Sequence, residues 1–234
     1  MNYGGAAGDP ANELLAAAVL EERCGFTLSA SLVVACPTLH RELPLENLAS
    51  DELPPPLRAP PDALEALRAA VRTGGGRAPD DVFVAPDSYG GFGLFAAVDL
   101  PAAALIGEYV GTLSRETVHT CADAGARSAT DRDAYVMRYP DVSGAVHLSA
   151  RDAGSLMRFV NHAPLSCRAN NCTCWALLVD GAYHTVVVTT RAVAAREELA
   201  YDYGDSYWAR RGGTPGAPPE AATAGGAGDD GSRC

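Results

Sequence analysis

Short apolar runs separated by turn residues fill the chain from about residue 81 onward. Runs of this length predict β-strands, because a strand needs only a few residues with apolar side chains on one face. Trp175–Thr190 predicts a hairpin, since two apolar runs flank the tight-turn pair Asp180-Gly181. The other predicted strands are DVFVAP (81–86), GGFGLFAAVDL (90–100, two strands around a glycine turn), ALIGEYVG (104–111), AYVMRY (134–139) and AVHLSA (145–150).

Helical spacing of apolar residues is confined to three segments. It predicts helices over Pro10–Arg23, Asp62–Arg72 and Ser114–Ala124, with Ser114 as the cap of the third. Pro44–Pro61 contains six prolines and cannot be a continuous helix. The chain is therefore predicted to be mostly β with a few helices.

The same pattern divides the chain into three parts. Residues 1–80 form a helical and proline-rich N-terminal appendage, which serves either as a platform for a substrate or only as packing. Residues 81–211 form the mostly β main domain. Residues 212–234 are predicted to be a disordered tail, because Gly, Ala, Pro and Asp leave little to bury.

Charge limits the class of partner. The formal net charge is -11 at pH 7, which argues against direct nucleic-acid binding through phosphates and suits a basic protein partner. All 18 basic residues are Arg, and codon bias in a GC-rich genome explains the lack of Lys. No apolar run is long enough to cross a membrane, and the N-terminus lacks a secretory signal. These features predict an intracellular protein of the nucleus or cytoplasm.

Seven cysteines lie at irregular spacings, as is typical of a reducing compartment. Cys167, Cys172 and Cys174 are close in sequence. Three thiols without a clear fourth ligand are a poor zinc site, so we predict no metal site and interpret them as buried or free thiols.

Four short motifs are candidates for chemistry, and each has a plain structural explanation when taken alone. A glycine turn, a strand end, a polar turn and an aromatic core cluster would account for them. Tyrosines beside acidic groups also suit a cationic ligand. The motifs are GGFGLF (90–95), EYVG (108–111), RFVNH (158–162) and ELAYDYG (198–204), the last followed by Tyr207 and Trp208.

The order of these motifs resembles the SET-domain family of protein lysine methyltransferases. GFGLFA, IGEYVG, RFVNHA and EELAYDYG are similar to that family's motifs, in its order and at its distances, over roughly Asp81–Arg211. The resemblance implies a SET-type β-clip fold of small sheets. In that fold a threaded C-terminal segment passes under a loop and brings the third and fourth motifs together. It also implies S-adenosyl-L-methionine as cofactor and a basic, lysine-containing protein, with a histone tail as candidate, as substrate.

The resemblance assigns catalytic roles to three tyrosines. Tyr203 takes the place of the family's catalytic tyrosine, and Tyr201 the place where the family carries Phe or Tyr. A Tyr at 201 leaves less room, so we predict mono- or dimethylation rather than trimethylation. Tyr135 resembles the family's channel tyrosine, with plain strand packing as its alternative.

The cofactor is expected to contact the glycine turn and the Asn-His pair. Phe92 and Leu94 would present backbone groups to its methionine part, Asn161 would hold the amino end, and His162 would meet the adenine. The implied cofactor-binding residues are Gly91, Phe92, Gly93, Leu94, Asn161, His162 and Trp208. Glu108 and Tyr109 would shape the sheet and the peptide groove, and Arg158 and Phe159 would lie nearby.

The chain departs from the family pattern in two places. NHAPLSCRANN (161–171) is longer than the usual spacing and has Ala169 where Pro is common. The Cys-rich tail of many members is absent after Gly204, so Tyr207 and Trp208 are the candidates to close the channel, unless Trp208 only caps the core. The alternative function is a catalytically inactive binding module with the same fold. Tyr203, Asn161 and the glycine turn favour activity.

Overall fold

The fold is that of a computed structural model that describes residues 17–29, 33–34, 48–74, 81–88, 90–115, 135–205 and 207–208. Within these ranges it contains two α-helices, α1 (Ala17–Cys24) and α2 (Pro61–Arg72). Short 3-10 helices span Pro55–Leu57 and Leu156–Phe159. None of the described helices has the length and apolar character needed to span a membrane.

The first two predicted helices are confirmed where they are described. Helix α2 begins at Pro61 because proline suits the first turn, and Gly74 follows its end with φ +67°. The third predicted helix is wrong at its start, because Ser114 ends a strand whose backbone pairs with β-structure instead of capping a helix. The remainder of that prediction, residues 116–124, lies outside the described residues, as do residues 10–16 and the predicted tail.

Short strands make up most of the described chain. They are β1 (Thr27–Leu28), β2 (Val33–Val34), β3 (Val82–Pro86), β4 (Phe92–Ala96), β5 (Leu105–Glu108), β6 (Thr112–Ser114), β7 (Val136–Arg138), β8 (His147–Ser149), β9 (Ala153–Gly154), β10 (Asn161–His162), β11 (Cys172–Val179), β12 (Ala182–Thr189) and β13 (Ala200–Tyr201). They form sheets in the orders β11-β12-β5, β2-β6-β8-β7, β3-β4, β1-β9 and β10-β13.

The predicted hairpin at residues 175–190 is confirmed as β11 and β12. Asp180 and Gly181 connect the two strands with φ +50° and +86°, as a tight hairpin turn requires. The glycine-rich segment differs from its prediction. It holds one strand, β4, and the turn precedes it, because Gly93 pairs with Ala85 inside the β3–β4 ladder.

Strand β12 separates two apolar layers. On one face Val186 and Val188 pack with Leu177 and with Leu67 of α2. On the other face Tyr183 and Val187 join the main core. Part of the N-terminal appendage thus covers the sheet, and β1 adds a further contact by pairing in parallel with β9.

Gly111 is required by a close backbone approach at the start of β6. A Cβ on this residue would overlap the backbone carbonyl of Ser149, which cannot move away as a side chain can. We expect Gly111→Ala to lower the free energy of unfolding by about 1–3 kcal/mol. Denaturant unfolding measures this loss.

Gly107→Ala is the matched control, because a Cβ at that position would meet only the flexible end of Met157, at 3.3 Å. The control should cost less than Gly111→Ala. Equal losses for the two variants would contradict a backbone clash at Gly111.

Candidate active site

Strands β10 and β13 bring the third and fourth motifs into contact. They run in parallel, with Asn161 opposite Ala200 and His162 opposite Tyr201. The backbone N–H of Tyr203 donates to Nδ1 of His162 at 3.1 Å. The predicted meeting of the two motifs is therefore confirmed.

Four aromatic rings form a closed cycle beside this pairing. The ring of Tyr203 lies 4.7 Å from that of Tyr207 and 5.3 Å from that of His162. Trp208 closes the cycle at 5.1 Å from Tyr207 and 4.8 Å from His162. Tyr201 adds a fifth ring, 5.0 Å from Tyr203.

The tyrosine hydroxyls have fixed partners. The hydroxyl of Tyr203 donates to the carbonyl of Val160 at 2.8 Å. The hydroxyl of Tyr201 is hydrogen-bonded to the thiol of Cys174. Because the proton of Tyr203 is already engaged, its oxygen presents lone pairs to the interior of the cluster.

Burial raises the pKa of Tyr201 and of Tyr203 well above the usual value for a phenol. It also raises the pKa of Cys174, to about 12. Burial likewise raises the pKa of Tyr109. These groups are neutral near pH 7, so they act as hydrogen-bonding groups rather than as bases.

Asn161 lies at the centre of a polar network. Its Nδ2 donates to Oε1 of Glu198 at 2.7 Å, to Oδ2 of Asp87 at 3.1 Å and to the carbonyl of Phe92 at 3.2 Å. Burial raises the pKa of Glu198, the hydrogen bond from Asn161 opposes that rise, and the nearby Asp87 adds to it. Asn161 thereby joins the glycine turn to the fourth motif.

The predicted glycine-turn residues occupy different environments. Gly91 donates its N–H to Oδ1 of Asp87 at 2.7 Å. A Cβ on Gly93 would overlap the Glu198 carboxylate and lie 3.2 Å from the Asn161 amide nitrogen. Phe92 is half-buried and gives its carbonyl to Asn161. Leu94 is fully buried and gives its carbonyl to the N–H of Leu199 at 2.7 Å.

Two ring nitrogens in the cycle are buried without a hydrogen-bond partner in the described part of the chain. They are Nε2 of His162 and Nε1 of Trp208. Burial lowers the pKa of His162, although Asp202 partly opposes the shift. In the neutral imidazole, Nδ1 accepts the hydrogen bond from the Tyr203 N–H, so Nε2 carries the hydrogen and is a donor like the indole nitrogen. Two unsatisfied donors beside aromatic faces fit a flat ligand with acceptor atoms, as the resemblance implies for adenine.

Tyr135 directly precedes β7. Its carbonyl accepts hydrogen bonds from the Tyr109 hydroxyl and the Ala150 N–H, both at 2.9 Å. Its ring lies 4.0 Å from the guanidinium carbon of Arg158. Tyr109, which was expected to shape the peptide groove, and Arg158, which was expected near the cofactor, both contact the candidate channel tyrosine.

The three neighbouring cysteines do not act as a set. Cys172 and Cys174 are free buried thiols, as interpreted from the sequence, but that interpretation is wrong for Cys167, which is disulfide-bonded. Across the described ranges, no group of three or more His, Cys, Asp or Glu side chains is arranged to hold a metal ion.

Sequence reasoning missed three polar residues of this site. Asp87 and Glu198 contact Asn161 across 74 and 37 residues of chain. Asn171 is 0% exposed and bonds both the N–H of Ala200 and the carbonyl of Glu198. Only Glu198 belongs to one of the four motifs, as the first residue of the tyrosine motif, whereas Asp87 and Asn171 belong to none of them.

Residues 91–204 match the SET domain family. A histone-lysine N-methyltransferase of Yarrowia lipolytica, described as H3 lysine-4 specific, is 31% identical over 112 residues, which are 48% of this chain and 9% of that protein. Histone-lysine N-methyltransferase 2D of Homo sapiens is 29% identical over 124 residues, which are 53% of this chain and 2% of that protein. The chain thus spans less than a tenth of the length of these two relatives.

Solved structures share the fold. The SET domain of ATXR5 in complex with di-methylated histone H3 superposes with a TM-score of 0.54 at 21% identity, covering 80% of this chain and 85% of that chain. ATXR5 in complex with mono-methylated histone H3.1 gives 0.53 at 20% identity, with the same coverage. The predicted fold class, a mostly β SET-type arrangement of small sheets, is confirmed.

The lowered pKa of His162 predicts an acid-sensitive site. The neutral ring contributes stability above the ordinary histidine pKa of about 6.5, and this contribution is lost as pH falls through the lower folded-state pKa. Between pH 7 and 5 we expect the wild-type free energy of unfolding to fall more steeply than that of His162→Phe, by at most about 1.4 kcal/mol per pH unit.

Denaturant unfolding at several pH values measures the difference between the two proteins. His147→Phe, on strand β8 of another sheet, controls for removal of a histidine. Parallel wild-type and His162→Phe curves would show that His162 is not buried in its neutral form.

Proposed function

The chain carries a SET domain at residues 91–204, and from this premise we propose that it is an S-adenosylmethionine-dependent protein-lysine N-methyltransferase. The observation that carries the proposal is the β10–β13 pairing. It sets Asn161 and His162 beside Tyr201 and Tyr203, the residues that cofactor and amine would share.

The residues beside the pairing fit the cofactor. Asn161 would hold the amino end, and the absence of a side chain on Gly93 leaves room for the Asn161 amide and the Glu198 carboxylate. The unsatisfied donors of His162 and Trp208 would meet the adenine. When bound, S-adenosylmethionine supplies a methyl group on a sulfonium centre.

The chain's own task is to prepare the amine. A free lysine has a pKa of about 10.4, so its deprotonation near pH 7.4 costs about 4 kcal/mol. Buried aromatic rings disfavour the charged form and so lower this cost. The oxygen of Tyr203, with its own proton engaged by Val160, would accept a hydrogen bond from the amine and align it for in-line attack. None of the buried tyrosines is ionised near neutral pH, so the proton leaves to solvent rather than to a phenolate.

The substrate we propose is a basic, lysine-containing protein, with a histone tail as the first candidate. Relatives about 31% identical to this chain are named histone-lysine N-methyltransferases. The net charge of -11 favours a basic peptide and opposes direct nucleic-acid binding. A histone substrate would place the protein in the nucleus, with no membrane partner involved.

Tyr203→Phe tests the catalytic assignment. The variant keeps the ring and removes the oxygen that would orient the amine. We expect the methyl-transfer rate on core histones to fall by at least about a hundredfold, with the affinity for S-adenosylmethionine unchanged. Labelled methyl transfer and cofactor titration measure the two quantities. All methyl-lysine formed belongs to the substrate, because the chain has no Lys.

Tyr183→Phe is the matched control, since it also removes one hydroxyl bonded to a backbone carbonyl, that of Leu48 at 2.7 Å. The control should retain transfer. An unchanged rate in Tyr203→Phe would remove this tyrosine from its role. Cofactor binding by the wild type without transfer to any of a broad set of lysine peptides would support the inactive binding module instead.

Tyr201 is proposed to limit the number of methyl groups. Its hydroxyl, bonded to Cys174, occupies space that a third methyl group would need. We expect mono- and dimethyl-lysine from the wild type and a shift toward trimethyl-lysine in Tyr201→Phe. Mass spectrometry of the product peptide reads out the ratio. Mainly trimethylated product from the wild type would contradict this role.

A further inference from the structure

Arg158 is a buried cation without a carboxylate partner among the described residues. The residue is 5% exposed, and its guanidinium is permanently charged. Nη1 donates to the carbonyl of Arg151 at 2.9 Å, and Nε has no partner in the described part of the chain. A buried charge is costly, so something else near the guanidinium must offset its desolvation.

Aromatic faces supply that offset. The guanidinium carbon lies 4.0 Å from the ring centroid of Tyr135 and 4.1 Å from that of Phe26, with Phe159 at 5.3 Å. These distances are those of cation–π contacts, which strengthen when water is excluded. Arg158 is therefore held between Phe26 and Tyr135.

Tyr135 needs such a support. Its backbone has φ +66°, a region that tyrosine rarely adopts, and its side chain is 39% exposed. The Tyr109 hydroxyl and the Ala150 N–H bond its carbonyl and do not contact the ring. Among the described residues, the guanidinium of Arg158 stacks on the ring and favours one ring direction.

Phe26 belongs to the N-terminal appendage and lies outside the SET domain match at residues 91–204. It directly precedes β1, which pairs with β9 through Thr27–Ala153 and Leu28–Gly154. Its ring also meets that of Phe159 edge to face at 5.6 Å. The β1–β9 pairing thus holds the appendage in a position where the Phe26 ring contacts Arg158.

We propose that Phe26, Arg158 and Tyr135 form a relay through which the N-terminal appendage sets the wall of the lysine channel. Arg158 is the positioning residue, and its buried charge favours the neutral, reactive form of the substrate amine. The relay deepens the proposed function and rests on it, since the channel is the one assigned to lysine methylation.

The charge effect follows from the surroundings. The titratable neighbours of Arg158 are Cys24, Tyr109 and Tyr135. The cluster adds Tyr201, Tyr203, Tyr207, Cys174 and His162. Burial favours the neutral forms of Tyr109, Tyr201, Tyr203, Cys174 and His162, so Arg158 is the permanent cation among these groups. The carboxylate in contact with them is that of Asp202, whose Oδ1 lies 3.8 Å from Nδ1 of His162. A like charge disfavours an ammonium nearby, so the amine loses its proton more readily.

Arg158→Met tests the charge while keeping apolar bulk. In single-turnover methyl transfer, we expect the pH midpoint of the rate to rise by about one unit, the order of shift that a nearby like charge produces at an effective dielectric constant of about 20. The rate at pH 7.4 should fall about tenfold and recover above about pH 9. Arg72→Met, which removes a charge from the exposed end of α2, is the control and should keep the wild-type midpoint. An Arg158→Met midpoint equal to that of the control would overturn the charge effect.

Phe26→Leu and Tyr135→Leu test the positioning, and they remain informative if Arg158→Met fails to fold. Each removes one ring face from the stack, so we expect a lower maximal rate with unchanged cofactor affinity. Phe83→Leu removes a comparable ring from the Phe83–Phe95 stack and should leave the rate at the wild-type value. A wild-type rate in both Phe26→Leu and Tyr135→Leu would overturn the relay.

Different experiments detect failure of the proposed function and failure of the relay. If the wild type methylates no lysine peptide, that function fails, and the relay is decided by a double-mutant cycle of thermal midpoints for Phe26→Leu and Arg158→Met. A relay predicts that the double variant loses less than the sum of the single losses, since the second change removes a contact already broken. Additive losses would overturn it.

Discussion

Two residues of parallel pairing, between Asn161–His162 and Ala200–Tyr201, hold the site together. The register places the Asn161 amide within reach of Glu198 and the His162 ring within reach of the Tyr203 N–H. A slip of one residue would turn both side chains to the opposite face. A ladder of two residue pairs is too short to determine its own register. Contacts from other residues must therefore determine the register.

Asn171 provides contacts that determine the register of the β10–β13 pairing. It is fully buried at the start of β11, and it bonds the backbone on both sides of Leu199, at the carbonyl of Glu198 and the N–H of Ala200. Its own N–H bonds the carbonyl of Ala200 at 3.0 Å. Because β11 belongs to the largest hairpin of the described fold, the tyrosine motif is tied to a rigid element rather than to a loop. The position of the tyrosine motif therefore depends on the stability of the β11–β12 hairpin.

The sequence predicted those features whose causes are local. Asp180-Gly181 determines a hairpin by itself, and the spacing of apolar residues identifies α2. Serine is an equally good local signal for a helix cap at position 114. In the structure, however, Ser114 pairs with β8 and is the last residue of a strand. The helix predicted from Ser114 is wrong at its start because backbone hydrogen bonds to a distant strand outweigh the local capping signal.

The candidate site shows the same division. Motif order indicated the tyrosines, Asn161 and His162, and the structure brings them together. The contacts that position them could not be predicted, because Asp87, Asn171 and Arg158 meet their partners only after the chain has folded. Asp87, for example, lies 74 residues before Asn161. Asp87 and Asn171 belong to none of the four motifs, and Arg158, which belongs to the third, gives no sign in the sequence of the rings that it contacts.

The closed ring cycle explains how the segment after the tyrosine motif stays on the site. Tyr207 contacts Tyr203, and Trp208 contacts His162, so the segment is attached at both motifs of the β10–β13 pairing. Burial strengthens contacts between aromatic rings, and it also favours the neutral forms of His162 and Tyr203. The burial that we propose to prepare an amine for methyl transfer therefore also keeps the aromatic cycle closed. In the proposed channel, the deprotonation of the amine and the closure of the cycle depend on the same buried rings.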